Sequence, residues 1–271
     1  MQRRKVWVSV GAAVFVTSQV AAPSKSLAGG LVPGRPLVLA AQGGEGGEGG
    51  EAGAAYDAKL PRTLRFFRNI QLIRGHLLVG NELVAQGRWA EALPHFLHPS
   101  EEIYPKIRDD LKAYSVAPFA AALKALAQTV RAKNQGAYRT ALAGVEERLA
   151  RADKGVRDKE QNWPSFVVET ILEVLGRAAG EYEEAIETGR IAKPIEYQDA
   201  RGFVWQADKL LGSVGPDLAA KDADAVQAAQ AAFADLKQAW PSPLPPKAPV
   251  KDLSAVLAGM SKIELQIGRF R

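Results

Sequence analysis

The chain reads as an all-α protein: a duplicated antiparallel helical bundle preceded by a signal peptide and a flexible Gly/Glu-rich linker. Three observations predict this. From Tyr56 onward apolar residues recur at three- and four-residue spacing, the period of a helix with one buried face. Apolar residues make up 47% of the chain, enough for a core, and Ala and Leu dominate them while β-branched runs stay short. Ala and Leu lose little freedom in a helix, so this composition favours helices over sheets. Finally, there is no Cys, so packing rather than disulfides must hold the fold. The same absence excludes Cys-based zinc sites, redox Cys pairs and thiol nucleophiles.

Residues 1–28 have the pattern of an export signal. Gln2–Lys5 is basic, and Val6–Val20 is apolar but interrupted by Ser9, Thr17 and Gln19. That run is too short and too polar to span a bilayer, which takes about 20 apolar residues. Ser26-Leu27-Ala28 supplies small residues for cleavage, with Val38-Leu39-Ala40 as a second position, and Arg3-Arg4 leaves both the general and the twin-arginine export routes open. The leader also carries charge. Loss of Arg3, Arg4, Lys5 and Lys25, with no acid before Glu45, lowers the formal charge from +5 to +1. A near-neutral mature chain offers little to attract nucleic acid. Residues 29–55 come next as linker, with a Gly-Gly-Glu repeat that has no apolar surface to bury and is expected to act as a solubilising spacer.

The domain proper spans 56–271. A first helix is expected over about 57–86, with Phe66, Ile70, Ile73, Leu77 and Val84 on one stripe and Gly87 ending it. The next stretch, about 89–113, is interrupted by Pro94, Pro99 and Pro105, because proline has no N–H to give the preceding turn. A hairpin of helices at about 118–133 and 136–151 turns around Asn134. Helices at about 164–188, 196–219 and 222–239 come after it, then a Pro-rich loop from Pro241 to Pro249 and a last helix at about 251–268. An internal repeat is expected at an offset of 102 residues, with halves at about 56–155 and 160–271. Gly80–Arg88 aligns with Tyr182–Arg190, and Leu72 and Ile73 meet Val174 and Leu175, so the apolar stripes stay in phase.

Candidate chemistry gathers in one place. The chain's three histidines, His76, His95 and His98, fall within 23 positions. Imidazole with carboxylate suits Fe, Zn or Cu(II), whereas Cu(I) would ask for Cys or Met. His76 lies on the flank of the first helix's apolar stripe and should point into the bundle or its edge. His95, His98 and Glu102 are spaced i, i+3, i+7, one helical strip. In an unbroken helix that strip lies opposite Phe96, Ile103 and Ile107, facing solvent or a partner repeat; Pro99 breaks the helix and can turn His98 inward. The plain alternative is a core-edge His76 with two surface histidines. Glu196 and Asp199 near a helix start are explained by the favourable end of the helix dipole, and Glu169 with Glu173, or Glu183 with Glu187, by a solvated helix face. No Gly-x-Ser-x-Gly elbow, phosphate-binding loop, dinucleotide fingerprint or His-Glu-x-x-His helix occurs, and no nucleophile–base pair is evident. The expectation is therefore a binding protein and not an enzyme.

Gly87-Arg88-Trp89-Ala90-Glu91-Ala92-Leu93 leading into His98-Pro99-Ser100-Glu101, the stretch from Glu196-Tyr197-Gln198-Asp199 to Trp205-Gln206-Ala207-Asp208, and the two-repeat layout together resemble the imelysin and EfeO-type family of periplasmic iron-uptake proteins. The resemblance covers much of residues 65–240. It implies a helical bundle in the periplasm, acting in iron acquisition, with a metal held by His98 and Glu101 and with His95, Glu102 and His76 as further partners. Phe96, Leu97 and Pro99 depart from the family pattern around the His-x-x-Glu. The competing expectation is a metal-free scaffold that docks an envelope protein through the Trp89 region or the Pro241–Pro249 loop.

Overall fold

A computed structural model describes residues 56–271. The signal peptide and the linker expected at 1–55 lie outside the described residues. The described chain is all-α apart from one small hairpin. In order it forms α1 (Arg62–Ala85), α2 (Trp89–Ala92), α3 (Pro94–His98), a π-helical turn (Pro99–Ile103), α4 (Tyr104–Ile107) and a 3-10 turn (Leu111–Tyr114). Next come α5 (Ala120–Arg131), α6 (Gln135–Arg157), α7 (Trp163–Ala185), β1 (Ile186–Glu187), β2 (Arg190–Ile191), α8 (Pro194–Ala219), α9 (Ala223–Lys237), α10 (Leu253–Ile267) and a closing 3-10 turn (Gly268–Phe270).

The boundaries reflect local chemistry. Asn134, Asp222 and Asp252 each accept a hydrogen bond from the backbone N–H three residues on, so α6, α9 and α10 start on side-chain caps. Prolines at 94, 99 and 105 each withhold a backbone N–H, and the expected second helix is accordingly a chain of short turns. Helix α7 stops at Ala185, three residues earlier than expected, because the chain folds into a two-residue hairpin. Thr188 and Gly189 both have positive φ, 49° and 76°, as the tight turn between twisted strands requires. Gly87, which the expected 102-residue offset pairs with Gly189, has φ 74°. Beyond these two glycines the segments differ: Gly87 leads into broken turns, and Gly189 into the long α8.

Helices α7 to α10 close a four-helix bundle, in which α7 packs on α8 and α10, and α9 packs on the same two. Helix α1 lies against α8 and α7, with α6 and the short turns of 89–107 on its other sides. It is therefore buried almost all round, where one apolar stripe was expected, and every residue from Phe66 to Ile73 is buried. Polar groups on such a helix must find partners inside the protein. Arg68 forms a two-pronged bond to Asp57 (2.8 and 2.9 Å), with Glu173 3.6 Å away and bonded to the Tyr56 hydroxyl. Gln71 joins Asp153 to Gln206, and Arg74 pairs with Asp153. His76 reaches Asp199.

The crossing of α1 and α8 is set by two glycines. A Cβ on Gly202 would stand 2.3 Å from the Gly75 carbonyl oxygen, and one on Gly75 would stand 2.5 Å from the Phe203 ring. The two backbones touch there, directly beside His76 and Asp199. Gly80 makes similar room for α3, since a Cβ would meet Phe96 at 2.7 Å and the His95 Cβ at 3.3 Å.

Gly202→Ala is expected to lower the unfolding free energy by about 1–3 kcal/mol, because backbone cannot yield to the added methyl. Gly212→Ala, at an exposed helical site with nothing within 4 Å, should raise it by about 1 kcal/mol. Urea denaturation of the two variants checks both signs. A second expectation concerns Asp57. Partial burial opposes its ionisation, but the bond to Arg68 and the charges of Arg68 and Arg177 outweigh that and hold its carboxyl below the ordinary range. A depressed carboxyl stabilises the fold above its unfolded pKa and loses that contribution as pH falls through the folded one. Asp57→Asn should therefore cost about 1 kcal/mol at pH 7, discounted for water at this edge site, and the deficit should shrink in strongly acidic buffer.

Candidate metal centre

Three segments distant in sequence bring four side chains together. Asp199, in the second turn of α8, is buried, as are His76 of α1 and His95 of α3. The Nδ1 atoms of His76 and His95 each lie 2.7 Å from the same oxygen, Asp199 Oδ1. One ligand atom from each of these three residues falls within 4.8 Å of the others, the geometry that a single ion can share. His98, at the end of α3, places its Nδ1 3.2 Å from the other oxygen, Asp199 Oδ2. Its side chain keeps 24% of its exposure, so it forms the solvent side of the cluster. His76 meets His98 edge-on at 5.2 Å between ring centres and Phe203 edge-on at 5.0 Å, which fixes its ring plane.

The electrostatics match the geometry. Burial works against a charged Asp199, but the imidazoles of His76 and His95 reverse this through charge and hydrogen bonding, and the carboxyl is held well below its ordinary value. Burial likewise works against a charged His98. The bond to Asp199 and its charge, with Glu102 further out, win there and push the ring's pKa up.

The candidate residues read from the sequence are thus divided. His76, His95 and His98 converge. Glu102 stands at the rim with Oε1 3.9 Å from His98 Nε2, while Glu101 is exposed and outside the converging group. His95, expected on a strip facing solvent or a partner repeat, is fully buried. The reason is how α3 is seated: it packs against both α1 and α8, and Gly80 leaves the room that brings His95 against α1. The π-helical turn that follows, in which the Tyr104 N–H donates to the carbonyl of Pro99 five residues back, shifts the phase of Ile103 and Ile107 relative to α3. Asp199 was assigned to the helix start and is instead the carboxylate at the centre. One signal pointed to it: Asp199 is four and eight residues from Phe203 and Ala207, which puts an acid in register with an apolar stripe that is fully buried. Glu173, read as a solvated face, belongs to the Arg68 and Tyr56 cluster.

Three nitrogens and a carboxylate fit a divalent transition metal. In a tetrahedral zinc site with bonds of about 2.0–2.1 Å, neighbouring ligand atoms stand about 3.3 Å apart. His98 and Asp199 already have about that spacing, and each of the two 2.7 Å contacts would open by about 0.6 Å. Buried His76, His95 and Asp199 would be three protein ligands, leaving the position toward His98 and solvent for a fourth.

A family model described as the iron permease-associated 4-helix bundle domain matches residues 157–270. The match takes in α7 to α10, the four helices that close the bundle, and with them Asp199; the histidines lie before it. It covers less than half of the chain, so it records a similarity of this part to that domain. No curated protein and no solved structure matches the chain. Among the described residues no helix is long and apolar enough to cross a membrane.

Asp199→Ala, which removes the carboxylate shared by the buried rings of His76 and His95, should cost about 3–5 kcal/mol in the metal-free protein. His98→Ala, at the solvent side, should cost under about 1.5 kcal/mol. Urea titration at neutral pH in the presence of a chelator measures both.

Proposed function

We propose that this chain is an exported metal-binding protein that holds a divalent transition-metal ion at His76, His95 and Asp199, with His98 at the entrance, and that it acts in iron uptake at the cell envelope. The observation that carries the reading is the convergence of two buried imidazole Nδ1 atoms on one buried carboxylate oxygen, from helices 104 and 123 residues apart in sequence. Such a group is costly to bury without a cation to share it. The donor set suits Fe, Zn or Cu(II). The similarity of residues 157–270 to an iron permease-associated domain favours iron as the physiological ion. In this reading the protein is imelysin-like in its helical build and in its place in the periplasm or outside the cell. Its role is to bind and pass on a cation, with no reaction catalysed.

Within the site each group has a separate task. Asp199 supplies the negative charge, His76 and His95 complete the buried face, and the partly exposed His98 meets an ion arriving from solvent. Glu102, at the rim, adds negative potential along the approach.

Equilibrium dialysis of the chain from residue 56 onward tests this against Fe(II) without oxygen, Zn(II) and Cu(II), with elemental analysis of the retained metal. One ion per chain at micromolar free metal is expected, lost in His95→Ala and kept in Glu101→Gln. No retained ion, or an ion that His95→Ala does not disturb, would contradict the proposal.

A further inference from the structure

Behind His95 lies a second polar contact, outside the histidine–carboxylate cluster. Gln198, the neighbour of Asp199 on α8, is buried, and its Oε1 lies 2.9 Å from His95 Nε2. Its Nε2 donates to the carbonyl of Pro243 at 3.0 Å. Pro243 sits in the Pro-rich loop after α9, and that loop is fastened to the start of α8. Trp240 Nε1 donates to the Tyr197 carbonyl (3.0 Å), and Arg201 donates to the Trp240 carbonyl (3.3 Å).

These bonds decide the amide orientation. A carbonyl can only accept, so the NH₂ end of Gln198 must face Pro243; the flipped amide would set two acceptors against each other. The oxygen end then faces His95, and His95 Nε2 must carry a proton. In a neutral imidazole the other nitrogen, Nδ1, is a bare lone pair. That lone pair lies 2.7 Å from a carboxylate oxygen. Two acceptors at such a distance repel unless a cation joins them, either a proton that makes the ring an imidazolium or a metal ion.

We propose that Gln198, held by the Pro243 carbonyl, is the positioning residue of the site: it fixes His95 with the proton on Nε2 and so assigns Nδ1 as the metal-binding atom. This rests on the proposed metal-binding function and adds the part of the chain that enforces it. Hydrogen bonds from the far nitrogen of a metal-binding histidine orient the ring and raise its basicity, and their loss costs about 10–100-fold in metal affinity. The Pro-rich loop thereby gains a role inside the molecule, as the backbone that holds the amide.

The test uses the chain with ¹⁵N-labelled histidine and Zn(II) as the probe. Nitrogen NMR of the zinc-loaded protein should show His95 protonated at Nε2 and metal-bound through Nδ1. Gln198→Leu should weaken Zn(II) binding by about 10–100-fold. Gln198→Glu keeps an acceptor for His95 but sets a carboxylate oxygen against the Pro243 carbonyl. It should therefore bind zinc more tightly than Gln198→Leu and less tightly than the parent, with His95 still protonated at Nε2, even though its metal-free form is no more stable than that of Gln198→Leu. That separates positioning from mere support of the fold. Zinc bound with the His95 proton on Nδ1, a Gln198→Leu protein with parental affinity, or a Gln198→Glu protein as weak as Gln198→Leu would each overturn the positioning role and leave metal binding standing. A parent chain that binds no zinc, iron or copper would overturn both.

Discussion

The contact between Gly75 and Gly202 is the constraint on which the rest depends. Helices normally keep their axes 8–10 Å apart because side chains separate them. Where both contact residues lack a Cβ the backbones themselves meet, and here the Gly75 carbonyl occupies the space that a Gly202 side chain would need. His76 and Asp199 flank this crossing, one residue and three residues away in sequence. Short side chains can therefore bridge two helices, and a histidine on α1 reaches a carboxylate on α8 at hydrogen-bonding distance. The helix-weakening cost of a glycine, about 1 kcal/mol each relative to Ala, is the penalty set against that proximity.

The second constraint is proline. With N–H groups missing at 94, 99 and 105, the stretch from Trp89 to Ile107 cannot run as one helix, and it wraps α1 as short turns with a π-helical turn at Pro99–Ile103. Gly80 lets that stretch approach α1 closely enough for Phe96 to pack on it. The same approach carries His95 inward to Asp199 and leaves His98 half-way to solvent. A single unbroken helix over 89–113 would have kept Ile103 and Ile107 in phase with Phe96 and could not have bent around α1. Irregular backbone thus builds the second wall of the site, and the four-helix bundle of α7 to α10 provides the first.

Much of this was legible in the sequence. Helical period and breaks at the prolines obey rules local to a few residues, and the helices fall close to where those rules put them. The clustering of His76, His95 and His98 in the sequence pointed to side chains that converge in the structure. What the sequence hid depends on contacts between segments tens to more than a hundred residues apart. Gly75 and Gly202 look like weak points in two helices until the helices cross. Asp199 looks like an acid at a helix start, and its register with Phe203 and Ala207 matters only once that face is known to meet α1. Gln198 gives no local signal at all, because its partners lie on α3 and in the loop after α9. Glu101 completes a His-x-x-Glu with His98, yet it is exposed.

A site split in this way joins two parts of the chain. The bundle that is similar to an iron permease-associated domain supplies the carboxylate and the amide, and the segment before it supplies the imidazoles. Metal binding would then hold α1 and α3 onto α8, so that loading and the packing of the two parts strengthen each other. The most direct measurement is a crystal structure of the metal-soaked protein with anomalous diffraction recorded at the metal's absorption edge. The account predicts one strong peak within bonding reach of His76 Nδ1, His95 Nδ1 and Asp199. A peak at exposed carboxylates such as Glu101, or no peak between α1, α3 and α8, would contradict it.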